Sequence, residues 1–318
     1  MLRTQTCLVV DCRESRVTVV SVLNYKGGVG KTTLTANIGA ELASRGKKIL
    51  LVDLDPQASL TFSFYEPEVW EQSLAYERTI QQWFGSLLNQ PAPDPLSQYV
   101  VTPPAVNRIV QANGGRLDLI ASHLDLVDVD LEFAHRLGGA TFSHASPNFL
   151  RLHRSLRDAL GDPAFDAYDL IMIDCPPNFT MITRTAVVAS DYLVVPAKPD
   201  YLSTLGFEYL RRRLSMLITE YNKAVSSAAE QINPIMLGIV FTMIQYGGAE
   251  PIIAQRGFLD RPTKIEVPRF AQTVRDSKTF FGPAGEDGIP AVLRDGGNEA
   301  AQFELQQLAS ELYAKVRN

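Results

Sequence analysis

NYKGGVGKTT, residues 24–33, lies between an apolar, β-branched run, VTVVSVLN (17–24), and KTTLTANIGAELASRG (31–46), where Leu34, Ile38 and Leu42 recur at helical spacing and Gly46 supplies a stop. A glycine-rich turn between a strand and a helix offers backbone N–H groups to an anion, and the positive end of the helix adds to the attraction. The general phosphate-loop pattern is G-x-x-x-x-G-K-[ST]. Gly30, Lys31 and Thr32 match it, whereas the first glycine position is Tyr25. Gly27 and Gly28, with the strand before and the helix after, supply the context that the missing glycine would have given. The residues predict a cradle from Lys26 through Gly27, Gly28, Val29, Gly30, Lys31 and Thr32 to Thr33. In it the backbone N–H groups hold a β-phosphate, Lys31 reaches the β- and γ-phosphates, and the Thr32 hydroxyl binds Mg²⁺. One site needs only one such lysine, so Lys26 is left to be explained.

KILLVDLD (48–55) reads as a second buried strand ending in acids, which completes a β–loop–α–β unit. LDLIAS (117–122), YDLIMID (168–174), DYLVVP (191–196) and IMLGIVFTM (235–243) are further apolar strands separated by helical stretches. Such alternation predicts an α/β fold: a doubly wound, mostly parallel sheet with helices on both faces. Residues 67–88 look helical, 89–104 form a proline-rich loop, and 138–148 (GGATFSHASPN) read as another loop. The chain is expected to form one domain over 1–318, with a short leader (1–16) and a less regular insertion (about 62–116) after the second strand.

Phosphate sites of this kind are completed by an acid at a neighbouring strand end, which holds Mg²⁺, often through water. Asp174 in LIMIDCPP is the first candidate, and Asp53 and Asp55 in LLVDLDPQ are two more. Alternation along a strand would point Asp53 and Asp55 to the same side, toward the metal and an attacking water.

Composition narrows the function classes. With 46% hydrophobic and 20% charged residues the chain is able to bury a sizeable core, which excludes a mainly disordered protein. A formal charge of −5 means that any nucleic-acid-binding surface must be local. The three cysteines, Cys7, Cys12 and Cys175, lack metal-ligand spacing and suit a reducing compartment. Cys175 is expected to pack rather than to do redox chemistry. The four histidines form no metal motif. Acids and arginines interrupt the first twenty residues before any signal-peptide core, and no apolar run is long enough for a bilayer span. The cytoplasm is the expected compartment.

KGGVGKTT, LLVDLDPQAS and YDLIMIDCPPNF…LVVPAKPDY together resemble the ParA/Soj/MinD family of partition and positioning ATPases, closest to the ParA/Soj branch, with a variant Walker A motif and its signature lysine. LDLIASHLDLVDVDLEF, GIVFTM and KIEVPRFAQTV match more loosely, in order, while 62–116 matches poorly. The resemblance implies a P-loop NTPase that binds ATP and Mg²⁺ and sandwiches the nucleotide between two monomers. Lys26 would then reach across to the partner's phosphates, neutralising charge on the leaving group as an arginine finger does. It further implies that Asp55 orients the attacking water, that Asp174, Pro176 and Pro177 form a γ-phosphate-sensing switch, and that Pro268 lines the adenine pocket. Weak ATPase activity stimulated by a ParB-type partner is expected.

Soj-type relatives bind non-specific DNA as ATP dimers. Candidate contacts are Arg261, Lys264, Arg269, Arg275 and Lys278, set against Glu266 and Asp276, and the run Arg211, Arg212, Arg213. The three arginines of that run point about 100° apart on a helix, so only some share a face. The MinD branch instead holds membrane through a cationic C-terminal helix. Here FELQQLASELYAKVRN is basic only at Lys315 and Arg317, so a core-packing helix and no membrane partner are expected. The alternative functions are a positioning ATPase for a protein cargo and a metabolic amidoligase or synthase on the same scaffold. A nitrogenase-type iron protein would need paired cysteines after Cys175, and a bacterial tyrosine kinase a tyrosine-rich tail where only Tyr313 stands.

Overall fold

The computed structural model describes residues 17–90, 92–137, 148–259, 267–282 and 287–317. The leader, residues 138–147 of the loop expected at 138–148, Arg261 and Lys264 fall outside the described residues, while Asn148 opens a helix. Six parallel strands form one sheet: β1 (Val19–Val22), β2 (Lys48–Asp53), β3 (Arg116–Ile120), β4 (Leu170–Asp174), β5 (Tyr192–Ala197) and β6 (Ile235–Phe241), in the order β3-β2-β4-β1-β5-β6. The strands are apolar along nearly their whole length because both faces are covered. Val19, Leu50, Val52, Ile171 and Ile173 point into one layer, and Val20, Val22, Ile49, Leu51 and Met172 into the other.

The first layer is roofed by α3 (Ile80–Asn89), α5 (Leu126–Arg136), α6 (Asn148–Leu160), α7 (Met181–Ala189) and α8 (Tyr201–Ala224). The second is roofed by α1 (Lys31–Ser44), α2 (Pro67–Ser73), α4 (Pro104–Val110) and the C-terminal helix α10 (Glu299–Arg317); the short α9 (Ile253–Leu259) precedes α10 in the chain. The sheet is therefore doubly wound. On α10, Leu305, Leu308, Leu312 and Val316 are all buried, so that stripe faces the core.

Three local features differ from the sequence expectation. The helix expected over 67–88 is two helices, α2 and α3. Thr79 breaks it: its backbone N–H bonds the Gln82 side chain (3.0 Å) as part of a capping box, and the Ile80 amide donates to Ala121 O (2.8 Å) beyond β3. The insertion is also more integrated than its irregular sequence suggested. Trp70 of α2 lies in one apolar layer and Trp83 and Phe84 of α3 in the other. Within the proline-rich loop, Val101 exchanges two backbone bonds of 2.8 Å with Leu119, which covers the edge of β3.

The third difference bears on the site. β2 ends at Asp53, not Asp55. The Asp53 carboxylate turns the chain: Oδ1 accepts the Asp55 amide (3.1 Å), and Oδ2 accepts both the amide (2.8 Å) and the hydroxyl (2.7 Å) of Thr61. Strand alternation therefore does not relate Asp53 to Asp55, which sits in the following turn.

Candidate nucleotide site

β1 lies between β4 and β5, and the chain leaves its C-terminal end into the glycine loop. In a doubly wound sheet a ligand binds at such an edge, where neighbouring connections part to opposite faces. Asn24 anchors the loop: its amide nitrogen donates to Pro196 O (2.6 Å) and its Oδ1 accepts the Lys26 amide (3.0 Å). Gly28 and Gly30 adopt left-handed backbone angles, φ +63° and +85°, which glycine takes without strain. Gly27 and Gly28 are exposed, with no atom within 4 Å of where a Cβ would stand. Gly30 caps α1, so the first free amides of that helix open onto the loop. On the inner side, the Thr242 hydroxyl just beyond β6 donates to Val29 O (2.8 Å).

The two lysines have opposite surroundings. Lys31, the first residue of α1, is 6% exposed, and its ammonium donates to Lys26 O (3.4 Å). Burial pushes its pKa down, while Asp174 and Asp55 pull it back up. Lys26 stands on the rim. Its ammonium donates to Asp200 Oδ2 (2.6 Å) and to Ser203 Oγ (3.4 Å). Asp200 is also the N-cap of α8, its Oδ1 accepting the Ser203 amide (2.7 Å). Partial burial raises the Asp200 pKa, but the bonds from Lys26 and Ser203 outweigh it and hold the carboxyl below its ordinary range. The Lys26 and Asp200 side chains are 30% and 41% exposed, so this is a surface ion pair worth about 0.2–1 kcal/mol and easily exchanged.

Thr32 Oγ1 donates to Asp174 Oδ2 (2.6 Å). Asp174 is fully buried, and its other oxygen, Oδ1, has no hydrogen-bond partner among the described residues. Burial, then the neighbouring charge of Asp53, raises its pKa well above the carboxylate range. An orphaned carboxylate oxygen beside a threonine hydroxyl is a donor set suited to a hard divalent cation, so the residues fit Mg²⁺. Asp53 is the register partner of Asp174 across β2 and β4. Burial lifts its pKa to about 7 against the pull of its bonds from Thr61 and Asp55. Asp53 accepts three hydrogen bonds from protein donors, whereas Asp174 keeps a buried oxygen that accepts none among the described residues. Asp55 is nearly buried, bonds the Gln57 amide (3.0 Å) through Oδ1, and lies close enough to Lys31 to raise its pKa. Beyond Asp174, Cys175 and Pro176 are buried while Pro177 is exposed. Burial pushes the Cys175 thiol up, keeping it a packing residue.

The AAA_31 model, described as an AAA domain, matches residues 17–227. The chain belongs to that family. The Soj protein of Bacillus subtilis, a sporulation initiation inhibitor, is 28% identical to this AAA_31 protein over 93% of the chain and 98% of its own length. The chromosome partitioning protein ParA of Caulobacter vibrioides is 26% identical over 94% and 91%. Among solved structures, the cobyrinic acid a,c-diamide synthase of Mycobacterium smegmatis with bound ADP and magnesium superposes with a TM-score of 0.65 over 95% of this chain and 96% of its own, at 24% identity. That likeness establishes a fold that holds nucleotide and magnesium in a relative. The resemblance to ParA and Soj read from the motifs is thus met along nearly the whole chain.

Several residues of the site in this AAA_31 protein carry no signal in the phosphate-loop pattern. Asn24, Thr61 and Thr242 act on the loop and its acids from outside the motif. Asp200 had one available signal, an aspartate immediately before a helix, which is a preferred N-cap residue. Pro268 is exposed and lies beside β6, its carbonyl accepting the Ile239 amide (2.9 Å). Gly238 permits that approach: at φ +137° it occupies backbone space closed to other residues, and a Cβ there would stand 2.7 Å from Pro268 C and O. The expected basic surface is divided. Arg211 and Arg212 are exposed, Arg211 pairing with Glu208 (3.2 Å), whereas Arg213 turns inward over Phe179. Arg275 is engaged by Glu304 (2.7 Å), while Arg269 and Lys278 are exposed. No described helix is long and apolar enough to cross a membrane.

Proposed function

We propose that this protein is an ATP-dependent dimerising switch with weak, partner-stimulated ATPase activity, acting in plasmid or chromosome partition. Its ATP dimer holds non-specific DNA, and a ParB-type protein triggers hydrolysis. The observation that carries this is the division of labour between the lysines. Lys31 is buried at the helix start, where it serves its own phosphates. Lys26 is held at the rim by a half-buried pair that a stronger anion displaces at little cost. A cation so placed is available to the nucleotide of a second copy, which ties hydrolysis to pairing.

On this proposal the loop amides from Gly27 to Thr33 and Lys31 cradle the β- and γ-phosphates. Thr32 and Asp174 hold Mg²⁺, which when bound neutralises charge between those phosphates. Asp53 braces the turn behind them, Asp55 orients the attacking water, and Pro176 and Pro177 carry the switch after Asp174. Pro268 lines the base pocket. Arg211, Arg212, Arg269 and Lys278 are the exposed cations available to DNA, and pairing doubles their number, which strengthens salt-dependent binding. The partition role is supported by the likeness to the ParA and Soj relatives.

The test is DNA retention at low salt with ATP, with ADP and without nucleotide, with mass measured in parallel, for wild type and Lys26→Ala. A DNA-bound dimer that forms only with ATP, and that Lys26→Ala loses, is the expected result. A protein that pairs on ATP yet ignores DNA sinks the partition role and leaves a protein-cargo switch or a synthase. Release of free phosphate rather than a ligated product separates those two.

A further inference from the structure

Two carboxylates of α10 grip the segment beside β6 by its backbone. Glu311 accepts the Ala271 amide through Oε1 and the Gln272 amide through Oε2, both at 2.9 Å. Two helical turns earlier, Glu304 accepts the Arg275 amide through Oε2 (2.8 Å) and its guanidinium through Oε1 (2.9 and 2.7 Å). Both side chains are well shielded, 12% exposed for Glu304 and 19% for Glu311. Bonds between a carboxylate and backbone N–H groups are charge-assisted and directional, so they fix the height of what they hold.

The gripped segment runs along β6 as an irregular extra rung. Phe270 N bonds Ile239 O (2.9 Å), Val274 N bonds Phe241 O (2.9 Å), and Asp276 N bonds Ile244 O (2.9 Å). Pro268 stands at its start. The same helix also fastens α1, whose first residue is Lys31. Arg45 at the end of α1 donates to Ser310 Oγ (2.7 Å) and Gln306 O (2.9 Å), and Leu305, Leu308 and Leu312 share the apolar layer with Leu34, Ile38 and Leu42. One helix thus touches both the element that carries the phosphate loop and the segment that carries Pro268.

We propose that Glu304 and Glu311 are positioning residues for the base end of the nucleotide site. By setting segment 268–276 along β6, whose end reaches the phosphate loop through the Thr242–Val29 bond, they fix the gap into which the nucleobase fits and so give the site its preference for adenine. This rests on the nucleotide site proposed above. The two carboxylates never touch the reacting atoms. Their effect is confined to the part of the affinity that depends on the base, because the phosphates are held by residues 27–33 and by the Mg²⁺ that Thr32 and Asp174 would hold.

The experiment is calorimetric titration of Mg-ATP and Mg-GTP into wild type, Glu311→Ala and Glu304→Ala, with thermal melts in parallel. Loss of one charged anchor is expected to weaken ATP about tenfold and GTP by less than about threefold, so that the ATP-to-GTP preference collapses. A lower melting temperature with the preference intact overturns the proposal, since a merely structural bond moves stability and not selectivity. Should Glu311→Ala fail to fold, Glu311→Gln keeps one acceptor and turns an N–H donor against the second amide, and is held to the same criterion. Wild type that binds ATP and GTP alike overturns this inference and leaves the nucleotide site standing. Wild type that binds neither removes the site itself.

Discussion

The phosphate end and the base end of the proposed nucleotide site are built in opposite ways. The phosphate end is one continuous stretch, residues 24–33, whose glycines, lysines and threonines act where they stand in the chain. The proposed base end is assembled from distant pieces: Gly238 on β6, Pro268 beside it, and Glu304 and Glu311 on the last helix. A continuous loop gets its geometry from local backbone conformation, as at Gly28 and Gly30, so residue type alone carries the instruction. An assembled wall gets its geometry from packing and long-range hydrogen bonds, which spread the instruction over residues that look ordinary one at a time.

The largest effect should come from the phosphate end. Lys31→Met keeps the buried stem and removes the charge. ATP affinity, read by calorimetry, should fall about a hundredfold, since a charge-assisted contact to phosphate in a shielded site is lost. The nucleotide-free protein should melt no lower than wild type, because the buried ammonium is there at a desolvation cost. Affinity retained within about tenfold would mean that the loop is not where phosphate is held.

A smaller effect is read as a slope against pH. Burial lifts Asp53 to about 7, whereas an aspartate in the unfolded chain titrates near ~3.9. Folded protein therefore keeps a proton that unfolded chain has lost. Stability contributed by this group is fully present below about pH 4 and fades as pH rises toward 7. Melting temperature of the nucleotide-free protein should fall through that window. Asp53→Asn should flatten the fall, because an amide does not titrate. A wild-type curve that rises across the window would show that the three hydrogen bonds to Asp53 outweigh its burial.

How much was legible follows the same division. The sheet was readable because strands buried on both faces are apolar throughout, and the phosphate loop because its chemistry is contiguous. Asp53 illustrates the limit. Its place at a strand end was visible, but Thr61, eight residues on, decides which way its oxygens face, and no periodicity joins them. The broken helix at Thr79 is similar: the apolar spacing of 67–88 continues through a boundary set by a bond to Ala121. Trp70 and Trp83 fall within the single helix expected over 67–88, yet they sit on two helices in different layers of the core. The two carboxylates on α10 read as the polar face of an amphipathic helix, which they are, and nothing local announces that they hold backbone amides 29 to 40 residues away.

Thr242 is where the two ends meet, and its replacement should give the smallest effect of the three. Its hydroxyl donates to Val29 O at 2.8 Å, and its methyl carbon stands 3.6 Å from where a Cβ on Gly30 would be. Thr242→Val keeps the shape and removes the donor, leaving the Val29 carbonyl without that bond inside the fold. A cost of about 1 kcal/mol in denaturant unfolding is expected. If the two ends are separate units, ATP affinity should be untouched, since Thr242 contacts neither Lys31 nor Pro268 by a hydrogen bond. If β6 braces the loop, affinity should drop about threefold to fivefold, in line with a fraction of that energy reaching the phosphate amides. The contrast drawn between a self-contained loop and an assembled wall survives the first outcome. The second makes β6, with the segment that α10 holds against it, part of the phosphate end as well.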